Sequence, residues 1–96
     1  MPDDIHISVQ NPEAAARLQE DFDEVIARVN GDLMGFTMHP DDPISVEAAV
    51  AFVERSVDHH LQSFADNAPL QSLAAEIKLR FRGGIEDQAR NARKAR

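Results

Sequence analysis

The residues best suited to chemistry gather on one predicted helix: Glu47, Glu54 and Asp58, with the adjacent pair His59 and His60. Carboxylates and imidazoles on bundle helices build di-iron and di-manganese centres, where Glu and Glu-x-x-His pairs converge from facing helices. The spacing here does not converge. At about 100° per residue, Glu47, Glu54 and Asp58 line one flank, His60 falls on the other edge of the apolar stripe, and His59 lies farther round. A shared ion would need ligands from a second helix, such as Glu20 or Glu24, or from a second copy of the chain. The metal candidates are therefore Glu54, Asp58, His59 and His60, read first as an acidic flank beside one partly buried and one exposed histidine, and no cofactor is expected.

A second oxygen-rich group is His39-Pro40-Asp41-Asp42-Pro43. Calcium sites commonly use six to eight oxygen ligands at a definite spacing, which two aspartates do not supply. The prolines mark a turn, with the start of a helix just beyond it.

The third group is basic: Lys78, Arg80, Arg82, Arg90, Arg93, Lys94 and Arg96. On a helix Arg90, Arg93 and Lys94 share a face, as phosphate-contacting side chains do. Aromatic residues that would stack on bases are missing there beyond Phe81, and no nucleic-acid motif accompanies the cations. Contact with an acidic protein surface, the chain's own dimer mate included, fits better than a nucleic-acid arm. The partner-binding candidates are Lys78, Arg80, Arg82, Arg90, Arg93 and Lys94.

No nucleophile elbow, Gly-rich phosphate loop or dinucleotide fingerprint is present. Tyr and Cys are absent and Lys occurs twice, so acid–base chemistry would fall to four histidines and scattered carboxylates. None sits in a recognisable nucleophile–base pattern, and no enzymatic activity is expected.

The elements that carry these groups follow from hydrophobic periodicity. Residues 5–9 (IHISV) alternate apolar and polar, as a short half-buried strand does, and its outward His6, Ser8 and Gln10 include no cation for reading DNA. Asn11-Pro12 then offers a cap and a first helical residue. Ala15, Leu18, Phe22, Val25, Ile26 and Val29 recur at helical spacing, and Asn30-Gly31 supplies a stop, which predicts a helix over residues 12–29. Residues 33–38 read as a strand or a loop. Ser45 is the predicted cap of a helix over about 45–66, whose inner stripe is Val46, Val50, Val53, Val57, Leu61 and Phe64. Ala49, Phe52, Ser56 and Ser63 form a flank of mostly small residues, the candidate dimer interface. Asn67-Ala68-Pro69 starts a third helix, predicted over 69–82, that Gly83-Gly84 ends. Residues 85–96 are an alanine-faced helical extension too short to hold alone.

Charge is sorted along the chain. Residues 1–75 hold 14 Asp/Glu and 3 Lys/Arg, whereas residues 76–96 hold 7 Lys/Arg and 3 Asp/Glu. The net charge of −7 repels nucleic acid and anionic lipid except through the basic end. The longest apolar run, 48–53, is far short of the roughly 20 residues of a bilayer span. With an acidic start, no apolar leader-like run and no cysteine, the pattern predicts a cytoplasmic protein.

Ninety-six residues make one modest core. The expected fold is mostly α: a small bundle of three main helices with a short N-terminal β-strand, a single domain over 1–84 and a basic C-terminal helical extension over 85–96. The expected function is that of a small adaptor or regulatory protein acting through protein–protein contact as a homodimer. A metal-binding bundle using carboxylate and His ligands across an interface, and a nucleic-acid accessory protein using the basic tail, are the alternatives.

Overall fold

The computed structural model describes residues 12–94. The predicted strand over 5–9 and the Asn11 cap lie outside them, as does Arg96. Within the described residues the fold is mostly helical and contains no strand: α1 (Pro12–Met34), α2 (Pro43–Leu61), a 3₁₀ turn (Gln62–Phe64), the one-turn α3 (Ala68–Gln71) and α4 (Ala74–Lys94).

α2 is the centre of the bundle. Its valine stripe, Val46, Val50, Val53 and Val57, is buried, as is Leu61, and its most extensive interface is with α4, followed by α1. α1 contributes Leu18, Val25 and Val29 to the same core, and the later helices contribute Leu70, Leu73, Ile77, Ile85 and Ala89.

Each of the three predicted helices differs from the sequence reading in at least one boundary, for a local reason. α1 runs through Asn30-Gly31 to Met34. A mid-helix glycine costs about 1 kcal/mol relative to alanine, which is offset here by Leu33 packing against the core and by Asp32 bonding to α2. The helix closes only after that, with the amides of Gly35 and Phe36 donating to the Asp32 and Leu33 carbonyls. Residues 33–38 are therefore helix end and irregular chain rather than a strand.

α2 begins two residues before the predicted position. Asp42, not Ser45, is its cap: the Asp42 carboxylate accepts from the Ile44 amide at 3.0 Å and Pro43 takes the first helical position. Ser45 instead accepts from the His39 amide and closes the preceding turn. At its far end α2 stops at Leu61 rather than near 66, giving way to the 3₁₀ turn, and the Gln71 side chain donates to the carbonyls of Leu61 and Phe64 at 2.9 and 2.8 Å, satisfying acceptors that the helix end leaves open.

The third predicted helix is two. Asn67, only 5% exposed, accepts from the Leu70 amide as the cap of α3 while its Nδ2 donates to Asp21 of α1. Ser72 then turns its hydroxyl onto the Pro69 carbonyl, and the chain kinks before α4. The kink lets Leu70, Leu73 and Ile77 all point inward. α4 itself does not end at Gly83-Gly84. It continues to Lys94, held by burial of Ile85 and Ala89, so residues 85–94 are the second half of a helix rather than a separate extension. Full burial of a side chain the size of Ile85 contributes about 1.5–3 kcal/mol, comparable to the cost of two helical glycines at about 1 kcal/mol each, and burial of Ala89 adds to it.

Among the described residues no helix is long and apolar enough to cross a membrane.

Candidate interaction surface

The carboxylate and histidine residues of α2 are drawn into pairs rather than into one site. His60 Nε2 lies 2.8 Å from Asp32 Oδ2, and the Ser56 hydroxyl donates to the same oxygen at 2.6 Å. These two contacts, Ser56 foremost, hold the Asp32 carboxyl below the ordinary carboxylate range. The His59 ring meets His60 edge-on, with centroids 5.1 Å apart, and points to solvent. Asp58 pairs with Lys78 of α4 at 2.8 Å, and Glu54 is half-buried on the same flank. Among the described residues no three His, Asp or Glu side chains are grouped so as to hold a metal ion.

Asp32, Ser56 and His60 share residue types with a hydrolytic triad but not its order. The carboxylate sits between hydroxyl and imidazole, so the imidazole is not placed to take the serine proton. The arrangement fixes α1 on α2.

The basic residues are likewise engaged along α4. Arg82 reaches Glu86 at 3.3 Å and Glu47 of α2 at 3.7 Å, Arg90 pairs with Asp87, and Arg93 donates to the Pro40 carbonyl of the α1–α2 connection. Lys94 is exposed. A matching tie at the other end joins Arg17 to Asp66 at 2.5 Å and lowers the Asp66 carboxyl. These pairs are solvent-exposed and orient more than they stabilise.

The flank read as a dimer interface is mostly covered by the chain's own helices. Ala49 and Ser56 are buried, and Phe52 packs on Phe36 with ring centroids 4.8 Å apart. Ser63 alone of the four is exposed. The small residues do admit a neighbouring helix, but that helix belongs to the same protomer.

A feature missed by the sequence reading lies on another side. α1 and α4 both lean on α2 and share a shallow apolar groove lined by Phe22, Ile26 and Asn30 of α1 and by Arg80 and Phe81 of α4. Phe22, Ile26 and Phe81 are only half-buried. The signal was present in α1, whose apolar positions span a wider arc than Leu18, Val25 and Val29 need for the core.

Residues 12–96 match the sequence profile described as YuaX. The chain belongs to the YuaX family. The match covers all four helices of the bundle. No curated protein and no solved structure matches the chain. Within this YuaX member, the groove between α1 and α4 is an apolar surface that its own core leaves half-covered.

Proposed function

We propose that this chain is a small non-enzymatic adaptor or regulatory protein of the cytoplasm that works by protein–protein contact and associates as a homodimer. The observation that carries the reading is apolar surface that the bundle leaves uncovered: among the described residues Phe22, Ile26 and Phe81 stay half-exposed, while Met34, Ile44 and Leu79 are largely exposed.

The paired carboxylates and histidines support contact rather than catalysis, because Asp32 with His60, Asp58 with Lys78, and Glu47 with Arg82 each join two helices. The test is the solution mass by light scattering. Refractive-index detection is required, since a chain without Trp or Tyr absorbs almost nothing at 280 nm. Twice the 10.7 kDa chain mass is expected at tens of micromolar; a monomeric mass refutes the homodimer.

A further inference from the structure

We propose that the groove between α1 and α4 seats a second copy of this chain, with α1 of each protomer lying along α4 of the other about a twofold axis. The proposal rests on the homodimer reading above and adds where the two copies meet.

Charge decides the pairing. Counted over each whole helix, including Asp32, Lys78 and Arg82, which pair with α2, α1 carries six acidic and two basic residues, a net −4, whereas α4 carries six basic and three acidic ones, a net +3. A twofold interface repeats every contact, so only three helix pairings are open to these two walls. Setting α1 on α1 opposes two −4 helices, and setting α4 on α4 opposes two +3 helices. Setting α1 on α4 of the partner satisfies both walls twice over. Like charges facing each other across an interface are strongly penalised, whereas complementary ones speed association and fix register.

Length agrees with charge. α1 has 23 residues and α4 has 21, about 34 and 32 Å at 1.5 Å per residue, so each can accompany the other along its whole extent. The groove supplies the apolar centre through Phe22, Ile26 and Phe81. Arg80 of α4 lines the groove, and on α1 the exposed Asp23, which accepts a hydrogen bond from Gln19, lies three residues before the groove residue Ile26 and is thus its neighbour on the helix surface. This is the layout of an apolar centre with a charged rim that specific interfaces share.

The experiment reverses one charge on each wall. Arg80→Glu and Asp23→Arg are prepared as separate full-length proteins, with circular dichroism confirming that each keeps the wild-type helix content. Each is expected to dimerise at least about tenfold more weakly than wild type, since both copies of the rim pair become like-charged. An equimolar mixture of the two is expected to regain the dimer mass, because one reversed pair and one native pair then face each other. Wild-type protein that is monomeric at tens of micromolar overturns both this inference and the homodimer reading, and leaves the groove to a different partner. Variants that both remain dimeric overturn the inference alone. So do variants that become monomeric and do not recover on mixing.

Discussion

Replacing Gly83 and Gly84 by alanine tests the continuity of α4 directly. Both lie in the interior of the helix, neither has a positive φ, and a Cβ built at either position meets nothing within 4 Å. The substitution therefore adds no clash and removes no contact, and what changes is the cost of fixing glycine in a helix. That cost is about 0.8–1 kcal/mol per residue relative to alanine, so the double variant should be more stable by about 1.5–2 kcal/mol. For a domain of this size, 1 kcal/mol shifts Tm by roughly 4–8 °C, which puts the expected rise at about 6–16 °C. Urea and thermal unfolding followed by far-UV circular dichroism would read the change. Protein concentration must be held equal, because self-association makes apparent stability concentration-dependent. A higher midpoint with an unchanged urea slope is the expected result. If either single substitution lowered the midpoint, or the double variant were no more stable than wild type, α4 would have to break or bend at the glycines and residues 85–94 would not be its continuation.

Two further outcomes follow from side chains that join helices. Asn67→Ala removes the α3 cap and the bond to Asp21, and should lower unfolding free energy by about 1–3 kcal/mol in a urea titration; a loss under 0.5 kcal/mol would mean that Asn67 does not tie α3 to α1. Asp32 is held below its ordinary value of 3.8, so its contribution is fully present above that value and is lost as pH falls through the lowered folded value. Thermal melts of wild type and Asp32→Asn should accordingly diverge above about pH 4 and converge as the pH falls below it, and parallel curves would show that Asp32 is not held by Ser56 and His60.

The apolar stripes were legible in the sequence because packing periodicity survives any local detail. Val46, Val50, Val53, Val57 and Leu61 are buried as their spacing implies, as are Leu18, Val25 and Val29. Helix ends were less legible, since Gly is a stop signal worth only about 1 kcal/mol and burial nearby can exceed it. Both glycine stops, at Gly31 and at Gly83-Gly84, were overridden in this way. The first error concealed a second. With α1 ended at 29, Asp32 falls in a loop, and its bond to His60, 28 residues away, cannot be anticipated. The cap of α2 was ambiguous for another reason: Asp42 and Ser45 are both good caps, and Pro43 in the first helical position selects the earlier one. The candidate site fared similarly. The basic end is legible as a run of cations, but the groups those cations meet within the chain, such as Asp58, Glu47 and the Pro40 carbonyl, lie on other elements and emerge only in three dimensions.

The kinked passage from α2 through α3 into α4 places the main partner of the central helix after it in the chain. During synthesis α1 and α2 emerge first, and α2 then displays its valines without the helix that makes its most extensive interface. Chains grow at about 5–20 residues per second, so the 33 residues from Gln62 to Lys94 impose a delay of seconds before α4 can dock. An apolar helix left open for that interval is a surface for chaperones and for neighbouring nascent copies alike. The order of the helices thus sets an interval of vulnerability in the life of each molecule, and α4 brings that interval to an end.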